Sequence, residues 1–296
     1  MSRAFSRLHP SLAKALREKG WEATPVQEHV VPELMGGHDR VIIAPTGSGK
    51  TMAGILPLFH RCLEEAWPSL SILYITPLRA LNRDVDRRLR ELATSVGLRV
   101  DVRHGDTSQA QRTKQTRKPP NLLVTTPETF QLMFSGKNLR AMLSTVQAVV
   151  VDEVHDLAAS ERGWQLSVAL SRLEALAGRS VQRLGLSATV GNPEAVAKWL
   201  SPSGRPLITT GDRTTSLTVE SPVPLPEDEV GCMDLGLNAP RQHAVYRQLC
   251  NILRNEPPCL VFVNSRSEAE TLATHLQALA PDLNIGVHHG SLAADT

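Results

Sequence analysis

The sequence predicts an α/β fold built on a parallel sheet, and three observations support this prediction. Buried strand patterns alternate with helical patterns through the first 200 or so residues of the chain. Candidate polar groups follow directly after the predicted strands, and the carboxyl ends of parallel strands meet at one edge of a sheet. A glycine-rich loop lies between the first strand and the next helix. These features predict a ligand site at the carboxyl edge of the sheet.

Composition limits the class of protein. A length of 296 residues suggests two domains, and a hydrophobic share of 41% is enough for a sizeable core. The net charge of +2 is too small to indicate a nucleic-acid partner by itself. The sequence contains no apolar run of about 18 residues, so we predict no membrane span. We also expect no signal peptide. The four cysteines lack C-x-x-C spacing, which predicts free thiols in a reduced, cytoplasmic protein and argues against zinc.

The glycine-rich loop at 44–51 reads Ala-Pro-Thr-Gly-Ser-Gly-Lys-Thr. It fits the P-loop pattern G-x-x-x-x-G-K-[ST] except that Ala44 takes the place of the first glycine. A predicted strand at 40–43 and an apolar helix at 52–62 supply the flanks that a P-loop requires. A glycine-serine turn that happens to precede a lysine is the alternative, and both flanks argue against it.

The physical basis of a P-loop is a backbone that closes around a phosphate chain. Glycines permit the close approach, and amide groups at a helix N-terminus point at the anion. We therefore expect Lys50 to bind the β- and γ-phosphates and the Thr51 hydroxyl to bind Mg²⁺. The residues predicted to bind nucleotide in this loop are Thr46, Gly47, Ser48, Gly49, Lys50 and Thr51.

Upstream of the loop, a short helix at 11–19 is predicted to end at Gly20. Thr24 is expected to cap a second helix that begins with Pro25. Gln27 is predicted to face outward from the first turn of that helix, where its amide matches the N6/N7 edge of adenine. A surface glutamine without a ligand is the alternative.

Two further strands, at 71–75 and 121–125, each run into a helix that begins with proline. Thr76 and the helix N-terminus after it are candidates to hold a backbone phosphate, and Arg79 is the candidate contact in the basic helix that continues to about residue 96. A strand at 99–103 precedes a basic polar loop at 112–118, which is either solvated or faces nucleic acid.

A continuous apolar strand at 146–151 is followed at once by Asp152-Glu153-Val154-His155. Beside a P-loop, Asp152 is expected to hold the same Mg²⁺ as Thr51, and Glu153 to polarise the attacking water. A solvated acidic pair is the alternative. His155 is a candidate link to a neighbouring loop, with an ordinary surface histidine as the competing interpretation.

The last strand of the first part, at 183–186, leads to Ser187-Ala188-Thr189. Small hydroxyl residues at a strand end can bond a carboxylate or histidine across the crevice. Asn192 is then expected to cap a helix that ends at Leu200.

Residues 201–240 are rich in proline and mark a boundary. Beyond it we predict strands at 216–223, 259–263 and 284–288, a helix at 241–253, and a helix capped by Ser267 that ends at Leu279. These elements begin a second α/β unit. The predicted division is a first domain at 1–203, a linker with the first strand of domain 2 at 204–240, and a partial second domain at 241–296.

The series of motifs resembles the superfamily 2 DExH-box helicases, and within them most closely the large helicase-related (Lhr) group. The resemblance extends over nearly the whole chain, and the Lhr similarity depends on the run from Asp152 to Trp164 and on residues 288–292. The segments that carry it are 24–27, 44–51, 76–83, 125–128, 152–155, 187–189, 264–266 and 289–291.

The resemblance implies an ATP-dependent motor with two RecA-like domains, the P-loop domain followed by the start of a second. ATP and Mg²⁺ are the implied cofactors, and Gln27 is implied to read adenine. The implied catalytic residues are Lys50, Asp152 and Glu153, and the implied metal ligands are Thr51 and Asp152. The residues implied to couple hydrolysis to movement are His155, Ser187 and Thr189. The implied nucleic-acid contacts are Thr76, Arg79, Thr125 and Ser265.

Lhr-like enzymes resemble 3′-to-5′ translocases that act on single-stranded or tailed DNA, RNA or RNA–DNA hybrids, and the sequence leaves DNA and RNA, as well as oligomeric state, open. In this family, further motifs follow a segment like 289–291. They include arginines whose loss lowers the rate of hydrolysis about 10³–10⁵-fold, and this sequence does not contain them. We therefore expect this chain to bind ATP, hydrolyse it slowly and not unwind, with a loosely ordered second domain. A nucleotide-gated clamp without motor activity is the alternative, and a P-loop kinase lacks a recognisable acceptor site.

Overall fold

The computed structural model describes residues 2–77, 83–188, 190–209, 216–256 and 258–288. The chain divides into two compact units, Met1–Arg213 and Thr214–Thr296. Within the described residues, the strands of the first unit form one parallel sheet in the order β3-β4-β2-β5-β6-β1-β7. The strands are β1 Arg40–Ile43, β2 Ile72–Ile75, β3 Val100–Arg103, β4 Leu122–Thr125, β5 Ala148–Val151, β6 Gln182–Ser187 and β7 Arg205–Ile208.

Helices connect these strands and cover both faces of the sheet. This arrangement confirms the predicted parallel α/β fold. Parallel strands need long crossover connections, and these are usually helices. The helices of the first unit are α1 Arg3–Ser6, α2 Pro10–Glu18, α3 Pro25–Leu34, α4 Lys50–Glu64, α5 Arg83–Ser95, α6 Gln109–Arg117, α7 Pro127–Met133, α8 Lys137–Leu143, α9 Val154–Ala158, α10 Glu161–Ala177 and α11 Pro193–Leu200.

Strand β5 shows how the sheet separates the core into two layers. Successive side chains of a strand point to opposite faces. Ala148 and Val150 accordingly pack with the cluster that contains the helices α1 to α4, whereas Val149 and Val151 pack with the helices α7 to α11. All four side chains are buried, which is why the strand is an unbroken apolar run in the sequence.

Local capping signals place two helix starts at the predicted positions. The Thr24 hydroxyl accepts a hydrogen bond from the backbone of Gln27, and the Gln27 side chain accepts one from the backbone of Thr24, which is a complete capping box. Asn192 caps α11 through its side-chain oxygen, which accepts from the backbone of Ala195.

Three predicted local features are wrong. The basic segment 112–118, predicted to be a loop, lies mostly in helix α6. Gln115 is the one buried side chain of this helix, so its sequence has no periodic apolar positions that would predict a helix. Ser265, not Ser267, caps the last helix, since its hydroxyl accepts from the backbone of Glu268. Residues 205–208, predicted to belong to the linker, form β7 and pair with β1 in the first sheet.

The second unit contains the helices α12 Pro226–Asp234, α13 Pro240–Asn255 and α14 Arg266–Leu279. A small apolar cluster joins α13 to α14 through Tyr246, Cys250, Leu272 and Leu276. The predicted strands at 216–223, 259–263 and 284–288 are wrong for the described residues, which form no regular strand there. An apolar alternating segment becomes a strand only where a neighbour completes its hydrogen-bond ladder.

Among the residues that the structure describes, no helix is long and apolar enough to cross a membrane.

Candidate nucleotide site

The P-loop joins β1 to α4 at the carboxyl edge of the sheet. Gly47 and Gly49 have φ angles of +77° and +87°, a left-handed conformation that other residues rarely adopt. Gly49 is also the N-cap of α4, and a Cβ there would lie 2.6 Å from the Nε2 atom of Gln27. The sequence Gly-Ser-Gly is therefore required by the backbone, and it presents the amides at the start of α4 towards the loop.

Lys50 lies inside the loop. Its Nζ atom donates hydrogen bonds to the carbonyl oxygens of Ala44, at 2.7 Å, and Pro45, at 3.0 Å. Burial lowers the pKa of the Lys50 ammonium, and the negative charges of Glu153 and Asp152 oppose that shift. The cation is therefore close enough to the acidic pair after β5 to interact with it electrostatically.

Groups suited to a phosphate chain surround this cation. The Ser48 hydroxyl is buried and has no hydrogen-bond partner in the described part of the chain. A buried polar atom without a partner is unfavourable unless a ligand satisfies it. Together with the left-handed glycines, it fits a polyphosphate. The oxygen donors of Thr51 and Asp152 suit Mg²⁺, which prefers oxygen ligands.

Gln27 does not face outward, so that prediction is wrong. The residue is only 7% exposed, because the capping box turns its amide back towards the helix start. Its Nε2 atom donates to the Gly49 carbonyl at 3.2 Å, and the Thr24 hydroxyl donates to the Ser48 carbonyl at 2.8 Å. The segment before α3 thus supports the P-loop directly. An amide has two N–H groups and two lone pairs on its oxygen, so one of each is left for adenine, whose recognition stays a prediction.

The acidic pair follows β5, two strands away from β1. The backbone N–H of Asp152 donates to the Ile75 carbonyl at 2.8 Å, which places the carboxylate beside the end of β2. Burial raises the pKa of Asp152, and burial together with the charge of Asp152 raises the pKa of Glu153. Glu153 has a φ angle of +44°, a strained conformation for a residue with a Cβ, of the kind that clusters at functional sites.

Tyr74 is a site residue that the sequence analysis missed. Its hydroxyl donates to Asp152 Oδ2 at 2.6 Å. The available signal was weak: one phenol in the otherwise aliphatic strand Ile72–Ile75, which by pattern alone reads as an ordinary core residue.

The ends of β5 and β6 are brought together as the candidate coupling residues require. His155 Nδ1 and the Ser187 hydroxyl lie 2.9 Å apart, and His155 Nδ1 is 3.6 Å from Glu153 Oε2. A chain of polar contacts therefore connects Glu153 to Ser187, while their role in coupling stays a prediction. Thr189 lies outside the described residues.

The candidate nucleic-acid contacts that the structure describes lie at the ends of β2 and β4 and at the start of α14. Thr76 donates its backbone N–H to the Thr125 carbonyl at 3.0 Å, so the ends of β2 and β4 adjoin. Thr125 is 1% exposed and its hydroxyl has no partner among the described residues, so a sugar–phosphate chain does not reach it in this conformation. Arg79 lies outside the described residues. Ser265 caps α14 in the second unit.

Arg162 was also missed by the sequence analysis. It lies in the first turn of α10, donates to Glu128 Oε1 at 2.7 Å, and donates to the Pro77 carbonyl at 3.3 Å. It thereby joins the segments that follow β2 and β4. Gly163 makes this position possible, because a Cβ there would overlap the backbone carbonyl of Leu157.

A P-loop after β1, a carboxylate pair after β5 and a histidine-bonded serine at the end of β6 define a P-loop nucleotide-binding domain. The model of the DEAD/DEAH box helicase family matches residues 24–196, which is more than half of the chain and includes all three features. The chain therefore belongs to the DEAD/DEAH box helicase family.

Lhr helicases are among the similar proteins. The ATP-dependent helicase Lhr-Core protein 2 of Thermococcus barophilus is 36% identical over 299 residues, covering 92% of this chain and 34% of the relative. The Lhr helicase/uracil glycosylase of Escherichia coli is 35% identical over 298 residues, covering 90% and 18%. The structure of Mycobacterium smegmatis helicase Lhr, bound to single-stranded DNA and AMP-PNP, superimposes with a TM-score of 0.77 at 32% identity, covering 99% and 39%. The chain thus spans about a third of the Lhr-Core relative's length.

Proposed function

We propose that this chain is the ATP-binding part of an Lhr-like helicase that moves 3′ to 5′ on single-stranded nucleic acid. The observation that carries the proposal is the position of Lys50 inside the P-loop, where Nζ donates to the Ala44 and Pro45 carbonyl oxygens, at the same sheet edge as the carboxylates that follow β5. A lysine and two carboxylates around the phosphates are the groups that phosphoryl transfer to water needs.

In this proposal each group has a distinct role. Lys50 exchanges the carbonyl oxygens of Ala44 and Pro45 for the β- and γ-phosphates of ATP. Thr51 and Asp152 would hold Mg²⁺, and the ion would supply positive charge beside the phosphates. Glu153 orients the attacking water and accepts its proton, and its raised pKa makes it a stronger base than an exposed glutamate.

The proposed partners are single-stranded or tailed DNA, RNA and RNA–DNA hybrids. The related M. smegmatis helicase was solved with single-stranded DNA, which supports a single strand as ligand. Thr76, Arg79, Thr125 and Ser265 remain the proposed contacts. For Thr125, contact requires the end of β4 to move, because its hydroxyl is buried. A cytoplasmic location is also part of the proposal, on the grounds of the four unpaired cysteines.

Nucleotide recognition is tested first, by displacing a fluorescent ATP analogue with ATP and with GTP. We expect ATP to displace it better than GTP. Lys50→Ala should abolish binding, whereas Lys14→Ala, an exposed lysine paired with Glu18 on α2, should leave it unchanged. Gln27→Ala should remove the preference for ATP. Equal competition by ATP and GTP in the native chain would refute adenine recognition and reopen the kinase alternative.

Turnover then separates a motor from a nucleotide-gated clamp. Slow ATP hydrolysis that a single strand stimulates, and that Glu153→Gln removes, supports the motor. Nucleotide-dependent retention of a labelled strand with no phosphate release in either condition supports the clamp. Phosphate transfer to a small acceptor, without binding of a strand, contradicts both.

A further inference from the structure

Tyr74 stands out among the described residues as the largest side chain that is fully buried. Its ring packs in the core layer on the α4 side of the sheet, together with Ile42, Ile72 and Val150. A phenylalanine would fill the same space without the cost of burying a hydroxyl. Burying that hydroxyl is unfavourable unless it is hydrogen-bonded, so its partners indicate what it does.

The hydrogen-bond partner of the hydroxyl is Asp152, one of the two residues proposed to hold Mg²⁺. The phenol has one proton, which it donates to Asp152 Oδ2 at 2.6 Å. The Thr51 side chain lies beside the phenol, since it opposes the rise that burial causes in the pKa of Tyr74. Tyr74 lies in β2 and Asp152 follows β5, so the hydroxyl ties the carboxylate to the neighbouring strand.

The remaining oxygen of Asp152 is held as well. Oδ1 accepts the backbone N–H of Glu153 at 3.0 Å. Within the described chain, Tyr74 and this amide each donate one hydrogen bond to the carboxylate. Without the phenol, the carboxylate keeps one fixed oxygen and gains freedom to rotate about it.

We propose that Tyr74 is a positioning residue that holds the Asp152 carboxylate in the orientation in which it receives Mg²⁺. The inference rests on the proposed nucleotide function. Residues that hydrogen-bond the ligands of a metal orient those ligands, and their loss typically costs about 10–100-fold in metal affinity or activity. The effect should be specific to the metal, because the Tyr74 hydroxyl donates to Asp152, whereas Lys50 is held by the carbonyl oxygens of Ala44 and Pro45.

The chain supplies a matched control, since it contains two tyrosines. Tyr246 is also buried, lies in the second unit, and accepts one hydrogen bond from Gln242 at 2.9 Å. Tyr74→Phe and Tyr246→Phe therefore make the same chemical change, the loss of a hydroxyl and its hydrogen bond. Tyr74→Phe makes it beside the proposed metal ligand Asp152, and Tyr246→Phe makes it in the second unit.

The test measures the Kd of a fluorescent ATP analogue for the full chain, in EDTA and in saturating Mg²⁺. The Kd in EDTA divided by the Kd in Mg²⁺ reports how strongly metal and nucleotide binding are coupled. In Tyr74→Phe we expect the Kd in EDTA to stay as in the native chain and the Kd in Mg²⁺ to rise, so that the ratio falls about 10–100-fold. Tyr246→Phe should keep the native ratio.

Mn²⁺ paramagnetic resonance of the complex with nucleotide gives a second readout that does not depend on turnover. The Mn²⁺ signal of Tyr74→Phe should differ from that of the native chain and of Tyr246→Phe, and melting curves verify that both variants are folded. A native ratio in Tyr74→Phe overturns the inference, as does an equal rise of Kd in EDTA and Mg²⁺, which indicates damage to the loop. Failure of the native chain to bind the analogue at all instead overturns the proposed function.

Discussion

The first unit buries its apolar side chains in two layers, whereas the second unit leaves comparable side chains exposed. In β5, Val149, Val150 and Val151 are fully buried between helices. In the second unit, Leu260 is 85% exposed and Phe262 is 88% exposed, although the segment around them is just as apolar. The difference shows that an apolar segment contributes to stability only when neighbouring strands pair with it and helices cover its faces.

The second unit depends instead on a buried polar network. Asp228 is fully buried in α12 and accepts from His243 Nδ1 at 2.6 Å and from two nitrogens of Arg247 at 3.0 Å. It also accepts the backbone N–H of Leu225 at the start of α12. Lys50 and Asp152 of the proposed nucleotide site, by contrast, follow the buried strands β1 and β5 of the first unit. The two units should therefore respond differently to core substitutions and to pH.

The largest expected difference comes from matched core truncations. Leu73→Ala in β2 should destabilise the first unit by about 3–5 kcal/mol, because it leaves a cavity between the sheet and its helices. Leu276→Ala in α14 should cost less, since its cluster is small and partly exposed. All four tryptophans lie in the first unit, so urea unfolding followed by tryptophan fluorescence reports that unit, while circular dichroism reports both. An equal shift of the fluorescence transition by both variants would contradict the comparison.

The next effect concerns the start of α10. Gly163→Ala should destabilise the first unit by about 3 kcal/mol, because the new Cβ overlaps the backbone carbonyl of Leu157, which is not free to move aside. Gly191→Ala is the control, since a Cβ there meets no atom within 4 Å. Tryptophan fluorescence during urea unfolding again measures the change. A Gly163→Ala variant as stable as Gly191→Ala would show that α10 shifts without cost.

Much of the first unit follows from sequence because its strands are apolar runs and its turns need glycine. The loop after β1 that carries Lys50 and the end of β5 that carries Asp152 are therefore placed correctly by pattern alone. Gln27 was misplaced because the same residues that predict a capping box also draw its amide inward, and the pattern does not rank the two uses. Tyr74 was missed because a buried tyrosine looks like core until its hydroxyl partners are known. The strands of the second unit were wrong because pairing is not a local property.

A smaller effect is expected from acid. The Arg247 guanidinium holds the pKa of Asp228 well below its usual value, so the folded state favours the charged carboxylate. That stabilisation is present above the unfolded pKa of about 3.9 and is lost as pH falls through the lower folded pKa. Below about pH 4, helicity of the second unit should decrease while tryptophan fluorescence stays native.

Asp228→Asn should remove this response and lower helix stability already at neutral pH. Asp282→Asn is the matched control, because Asp282 pairs with Arg254 in the same bidentate manner and is 57% exposed in its side chain. Exposed ion pairs contribute little to stability, so this variant should titrate like the native chain. A similar acid response in both variants would show that the buried network does not hold the second unit together.

The smallest effect on stability should come from Phe262→Ser. The side chain is 88% exposed, so replacing it removes little buried area, and we expect a change within about 0.5 kcal/mol. The same substitution at Phe130, which is fully buried under the first sheet, should unfold that unit. Because contiguous exposed apolar side chains promote association, Phe262→Ser should also reduce concentration-dependent light scattering and dye binding by the second unit. A loss of more than about 1 kcal/mol would mean that Phe262 is covered in solution, and the two units would then differ less than their packing indicates.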